Sequence, residues 1–279
     1  FVVAQYERLV GVVSLRKLVI SPSSARVEEI MDPDIVYVRA DADQEEAARL
    51  MSRYSLMALP VVDDDGRLLG LITHDDLVTV LDVEATEDIY RLGGVSEEQP
   101  ADVPFHVALR PRLPWLVLNL GTAMISVAVL STFESTIAQV AALAAFFPVV
   151  TGVSGSAGTQ TLTVIVRRLA LGELSSRVGF PLLSREVVIG LANGLTIGGL
   201  IALIALVWKG MPALGLVVGG ATLLNMLGAG TAGVVVPLGM RRLGVDPALA
   251  SPILVTAATD ALGYLIYLSL ATLTLRILL

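Results

Sequence analysis

The chain contains no cysteine and only two histidines, His74 and His106. Without thiols there can be neither a disulfide scaffold nor a thiolate metal site, and two isolated histidines are too few for a zinc centre. No Ser/His/Asp constellation or metal-hydrolase motif occurs. The run GVSGSAG is glycine-rich, but it is embedded in an apolar stretch and lacks the strand-to-helix setting and the lysine of a phosphate loop. These absences argue against an enzyme. Positive charge is also scarce: the formal net charge is -7, which makes nucleic acid a poor partner and a cation a plausible one.

What is present is unevenly distributed. The chain is 54% hydrophobic and 16% charged, and most of the charge precedes residue 113. A soluble head followed by a membrane domain is expected. In the head, ERLVGVVSLRKLV from Glu7 matches GRLLGLITHDDLV from Gly66, each with an apolar strand through Gly11 or Gly70 and a helix N-cap at Ser14 or Thr73. Between them, DADQEEAARLMSRYS reads as an amphipathic helix with Asp41 as N-cap and Gln44 three residues on, and LPVVDDDGRLLGLIT as strand, Asp-Gly turn, strand. The triplet Asp63, Asp64 and Asp65 lacks calcium-loop spacing and reads as a solvated turn. The opening at Phe1 reads as mid-strand, so upstream sequence is expected.

After the second copy, DLVTVLDVEATEDIYRLGGV contains no glycine or proline until Gly93, and a helix is expected to run on through it. Glu84, Glu87 and Asp88 share one face at i, i+3 and i+4. Their repulsion would be relieved by a divalent cation, or the face is simply solvated. Residues 94–104 read as a linker. Five apolar runs then follow, at 114–133, 137–166, 187–208, 214–240 and 251–275, each long enough for a bilayer core. With the head inside the cell, Arg110, Arg112, Arg167, Arg168, Arg177, Arg185, Arg241 and Arg242 fall on the inner side, and Lys209 and Arg276 on the outer side, as the positive-inside rule requires.

Asp260 is the only acidic residue in the last run. A carboxylate at that depth costs at least about 2.5 kcal/mol and is retained where it meets a partner, a cavity or an ion path. Thr256, Asp260, Gly263 and Tyr267 share a helical face that would line a pore, although a protonated, hydrogen-bonded Asp260 fits the same pattern. In the second run, Gly152, Gly155 and Gly158 follow Pro148, and a broken helix with carbonyls freed toward a hydrated cation is expected; a small-residue packing seam is the alternative. Glu134, after the first run, either recruits cations at an outer entrance or caps a helix.

Three strings carry a resemblance. They are PVVTGVSGSAGTQTLTVIVRRLALGE from Pro148, RRLGVDPALASPILVTAATDALGYLIYLSLATL from Arg241, and the paired head modules joined through EATEDI. The head resembles a pair of CBS domains, and the whole chain resembles the MgtE family of magnesium channels. The implied fold is an α+β cytoplasmic CBS module followed by an all-α five-helix transmembrane domain. Residues 1–29 would be the end of a first CBS motif, 30–81 the second, 82–112 an acidic gating helix and linker, and 113–279 the pore domain. The resemblance further implies a homodimer in the cell membrane with its pore on the two-fold axis, and Mg2+ bound by Asp260 with Gly152, Ser156 and Thr256, near Glu134 at the outer mouth. It also implies closure by intracellular Mg2+ at Glu84, Glu87 and Asp88, and ATP bound by Thr73 and Asp76. The family usually has Asn where this chain has Ser156, and a relative has a polar amide where this chain has Pro252; both bear on ion preference. Two other readings remain open, a membrane-anchored nucleotide sensor without transport and an ion-coupled transporter of another solute.

Overall fold

The computed structural model describes residues 1–95, 104–171, 174 and 179–274, which divide into two compact units, Phe1–Thr86 and Glu87–Leu279. In the first unit, β1 (Val2–Val3) pairs antiparallel with β2 (Leu9–Gly11), and α1 (Leu15–Ile20) and α2 (Val27–Ile30) follow. Next come β3 (Val38–Arg39), α3 (Gln44–Tyr54), β4 (Ala58–Val62), β5 (Leu68–Thr73) and the start of α4 (His74–Leu92). The sheet order is β3-β4-β5, with β3 parallel to β4 across the α3 crossover and β4 antiparallel to β5 across the tight turn. The β-α-β-β-α pattern is the one expected from the sequence.

Local chemistry explains these elements. Asp63 Oδ1 accepts from the Asp65 and Arg67 amides at 2.9 and 2.8 Å, and Gly66 supplies the positive φ of 77° that closes the β4–β5 turn. Ser14 caps α1 as expected, accepting from the Lys17 amide at 3.3 Å. The cap of α3 differs from expectation: Asp43, not Asp41, accepts from the Glu45 amide at 3.1 Å. The Asp41 carboxylate is engaged by the Arg39 guanidinium at 2.9 Å, which leaves the later aspartate of DAD to start the helix. Val38, Ala47, Ala48, Met51, Leu59 and Leu77 form this unit's core.

The second unit begins with the end of α4 and continues through α5 (Phe105–Leu109), α6 (Leu113–Ser131), α7 (Glu134–Gln139), α8 (Phe147–Ala170), α9 (Gly179–Lys209), α10 (Pro212–Arg242) and α11 (Pro247–Leu273). Five helical stretches are long and apolar enough to cross a membrane, at residues 105–131, 141–170, 179–209, 212–242 and 251–273. Each overlaps an expected run. Of the arginines used for orientation, Arg177 and Arg276 lie outside the described residues, as does most of the expected linker at 94–104.

The second run departs from expectation. The helix is interrupted before Pro148, at Val140 and a 3-10 turn over Ala141–Phe146, whereas α8 runs unbroken through Gly152, Gly155 and Gly158. No backbone carbonyl is released there. A Cβ on Gly158 would lie 2.9 Å from Val255 Cγ1, so this glycine brings α8 against α11. Close packing holds the glycines in the helix and offsets their backbone entropy.

The most buried helix is α10, and its seam with α9 is made of glycines. A Cβ on Gly198 would meet the Gly219 carbonyl at 2.6 Å, and one on Gly219 would meet the Gly198 carbonyl at 2.7 Å. Backbone touches backbone at this crossing, and neither side has a flexible atom that can give way. Gly198→Ala is therefore expected to destabilise the membrane unit by about 1–3 kcal/mol, the usual cost of overpacking. Gly199→Ala, where a Cβ has nothing within 4 Å, is expected to leave stability unchanged. Thermal unfolding of both variants in detergent measures the difference.

Candidate functional site

An open groove of about 740 Å3 runs between α8 and α11 in the membrane unit. Pro148, Thr151, Gly152, Gly155, Ser156, Thr159 and Gln160 supply one wall, and Thr256 and Asp260 the other. Four residues picked out from the sequence, Gly152, Ser156, Thr256 and Asp260, therefore meet in one place. The register explains this. On α8 the small and hydroxylated residues recur at i, i+4 and i+8, and on α11 Thr256 and Asp260 are one turn apart, so each helix presents a single polar stripe.

The donors in this groove are largely used up by the helices themselves. The Ser156 hydroxyl donates to the Gly152 carbonyl at 3.0 Å and the Thr159 hydroxyl to the Gly155 carbonyl at 3.0 Å. With their protons spent on the backbone, these oxygens offer lone pairs to the groove. A Cβ on Gly152 would have nothing within 4 Å, so its wall is open. Asp260 is half-buried and has no hydrogen bond or ion pair among the described residues. The protonated, hydrogen-bonded alternative for this carboxyl finds no partner there. The groove presents mainly oxygen acceptors and one carboxylate, together with the Gln160 amide, a surface suited to a hydrated cation.

The rest of the expected α11 face turns inward. Tyr267 is fully buried and its hydroxyl donates to the Leu143 carbonyl at 3.1 Å. Gly263 is buried against Asn225, whose Nδ2 would lie 2.5 Å from a Cβ added there. Glu134 is exposed in the first turn of α7 and is not among the groove residues.

The acidic face of α4 is already partnered in part. Glu84 accepts from Gln44 Nε2 at 2.6 Å, Glu87 pairs with Arg91, and Asp88 is half-buried. Among the described residues no three His, Asp or Glu side chains converge to hold a metal ion. The three connector acids therefore do not form a complete ligand set within one protomer. At the start of α4, Asp76 Oδ2 accepts from both the Thr73 amide at 2.8 Å and the Thr73 hydroxyl at 2.7 Å. This pair closes the helix N-terminus, and the two Thr73 bonds hold the Asp76 carboxyl below the usual carboxylate range.

Two polar residues escaped the sequence reading. Glu186 is only 7% exposed, and its Oε2 accepts from the Thr161 hydroxyl at 3.0 Å. It lines a cleft of about 180 Å3 with Gln160, Arg185 and Asn193. The available signal was register: Glu186 precedes Gly190, Gly194 and Gly198 at intervals of four, on the buried stripe of α9. Asn225, fully buried on α10, donates to the Val150 carbonyl at 3.2 Å and so ties α10 to α8 behind the groove.

Comparison with known proteins follows the same division. Residues 147–270 match the family described as MgtE, divalent cation transporter, and residues 27–83 match the CBS domain. The chain is 44% identical over 284 residues to the magnesium transporter MgtE of Thermus thermophilus, covering 99% of this chain and 62% of that protein. It is 36% identical over 272 residues to the magnesium transporter MgtE of Bacillus subtilis, covering 98% of this chain and 60% of the relative. The chain thus spans about three fifths of the length of these relatives. A solved cytosolic domain of the Mg2+ channel MgtE in complex with ATP is 54% identical, covering 29% of this chain and 32% of that one, with a TM-score of 0.28.

The Thr73–Asp76 pair makes a prediction with a definite sign. A carboxyl whose folded pKa is depressed contributes stability above its unfolded value and loses it as pH falls through the folded value. Asp76→Asn is expected to lower the melting temperature at pH 7, and the difference from the unsubstituted protein should fade as pH is taken below the ordinary value of 3.8. Paired melts at pH 7 and at acid pH measure it.

Proposed function

The chain belongs to the MgtE family, and from that premise we propose that it forms a magnesium channel of the cell membrane. Its five spans follow a cytoplasmic CBS head. The observation that carries the reading is the groove, in which Asp260 has no partner among the described residues and the wall opposite is rich in oxygen acceptors. A single groove is an open wall. Two copies facing across a two-fold axis would enclose a path lined by two Asp260 carboxylates.

Magnesium releases its waters reluctantly, so such a path suits the hydrated ion, with carboxylates and hydroxyl lone pairs accepting hydrogen bonds from the coordinated waters. Gly152 leaves room for that shell, and Ser156 and Thr256 contact its flanks. Ser156 reaches less far than the family's usual amide, which loosens the grip on water geometry and weakens discrimination among divalent ions. Transport makes and breaks no covalent bond, so an enzymatic role is not part of the proposal. Glu134, outside the groove, acts by raising the local cation concentration at the outer mouth.

Regulation belongs to the connector and head. Glu84, Glu87 and Asp88 favour a closed arrangement when cytosolic Mg2+ is high, provided that further oxygen donors from a second copy complete the ligand set that one protomer lacks. Asp76 leaves Oδ1 without a hydrogen bond among the described residues, because both Thr73 bonds fall on Oδ2. That oxygen suits the ribose hydroxyls of an adenine nucleotide such as ATP.

The test is Mg2+ uptake into liposomes containing the purified chain. Asp260→Ala is expected to abolish uptake and Asp260→Asn to reduce it by about tenfold or more, since the amide keeps the shape but loses the charge that favours a cation, and 1.4 kcal/mol corresponds to a factor of ten. Melting temperatures near that of the unsubstituted protein show that the fold is kept. Undiminished uptake in Asp260→Ala refutes the pore. Uptake that requires a proton or sodium gradient would indicate a coupled transporter, and nucleotide binding without any uptake would indicate a sensor.

A further inference from the structure

The connector ends in a fixed geometry. Helix α4 stops at Leu92, Gly94 adopts a φ of 74°, and the Val95 and Gly94 amides donate back to the Tyr90 and Arg91 carbonyls, each at 2.9 Å. This pair of bonds is a Schellman stop, in which glycine supplies the left-handed residue without steric cost. It locks the last turn of α4, and with it Arg91, in place. Leu92 next to it packs against the apolar cluster formed by Leu162 and Val166 of α8 and Ala248 and Val255 of α11.

From this position Arg91 reaches two carboxylates with two different nitrogens. Nη2 pairs with Glu87 one turn back on α4, and Nη1 pairs with Asp246 Oδ2. Asp246 is the N-cap of α11, the helix that carries Asp260, and its other oxygen, Oδ1, accepts from the Ala248 amide at 2.9 Å. One carboxylate thus starts the groove helix and receives the connector's guanidinium. All three side chains are partly buried, between 28% and 37% exposed, so solvent screens the contact less than it would a surface pair.

We propose that Arg91 is the positioning residue that anchors the end of the acidic connector to the N-cap of α11, a fixed protein cation that joins Glu87 to Asp246 without a metal ion. Arginine suits the role because its fork engages two carboxylates at once and keeps its charge at any physiological pH. A displacement of the connector is then passed directly to the start of the helix bearing Asp260, whatever the ion occupancy of the remaining acids. The anchor itself is independent of transport, whereas its functional consequence rests on the gating reading above.

Amide hydrogen exchange over residues 87–95, measured on the whole chain in lipid nanodiscs with excess chelator, tests the anchor. The unsubstituted segment should stay protected. Arg91→Ala and Asp246→Asn, the second chosen because asparagine also caps helices, should each speed exchange about tenfold, and the double substitution should exchange no faster than Arg91→Ala, which already removes the contact that Asp246→Asn removes. Arg91→Lys should recover part of the protection. If the unsubstituted segment exchanges as fast in chelator as Arg91→Ala does, a metal holds the contact. If Arg91→Ala changes nothing, Leu92 and the glycine stop suffice. Either result overturns the proposal. In liposomes, Arg91→Ala should raise the inner Mg2+ concentration that halves flux by about tenfold, with maximal flux kept. Flux in the unsubstituted protein that ignores inner Mg2+ would defeat the gating reading alone, and the exchange result would still decide the anchor.

Discussion

A carboxylate within an apolar helix is the constraint on which the membrane unit turns. Asp260 lacks a hydrogen-bond donor among the described residues, so its charge is tolerable only if water or a cation reaches it. The open groove between α8 and α11 gives that access, and the surrounding architecture keeps it open. Gly158 brings the two helices together at one end of the groove by letting Val255 approach, while Gly152 contributes no side chain to fill the space beside Asp260. Behind the wall, Asn225 fixes α8 through the Val150 carbonyl, and Gly263 lets α11 close over that amide. The packing glycines and the groove are two results of one arrangement of small residues.

The sequence made much of this legible, and its failures have physical causes. Length and hydropathy located five spans because a bilayer imposes a length on any apolar helix. Residues one helical turn apart located Thr256 with Asp260, whereas Gly152 and Ser156 as groove residues came from the family resemblance. The same periodicity could not tell that Gly263 and Tyr267 turn away, because burial at that end of α11 depends on Asn225 and Leu143, which arrive from other parts of the chain. The three glycines after Pro148 suggested a break, since glycine weakens an isolated helix; in the fold, contacts with α11 hold the helix and the break moves upstream to Val140. Asp41 lost its capping role to Asp43 through a side-chain competition with Arg39 that propensity does not register. In the connector, the acidic spacing was visible, but the partners Gln44 and Asp246 are far away in sequence.

Asp260 and Glu186 illustrate how one functional group takes two roles in the same unit. Glu186 is the more buried, yet it accepts a hydrogen bond from Thr161 at 3.0 Å. A carboxylate so supported is held in place by the protein and serves to join α8 to α9. Asp260 has more exposure and no support. Its lone pairs are uncommitted, which on the proposed reading is what permits an ion's water shell to exchange places with bulk water at a modest cost in either direction. On that reading, depth alone would rank these residues in the wrong order for ion binding.

The same reasoning bears on the hydroxyls of the groove. A serine or threonine in a helix satisfies its proton on the carbonyl four residues back, as Thr151, Ser156 and Thr159 all do. What remains outward is an acceptor, and a row of acceptors recognises the protons of coordinated water and not the metal directly. Because those protons belong to an octahedral shell whose rigidity differs among divalent ions, preference would arise from how well the acceptors match the shell's spacing. A primary amide at the Ser156 position would add a donor and extend the reach; the serine leaves a shorter side chain there that presents only an acceptor. On the proposed reading, ion preference in this chain rests more heavily on the paired carboxylates and less on the flanking α8 oxygens.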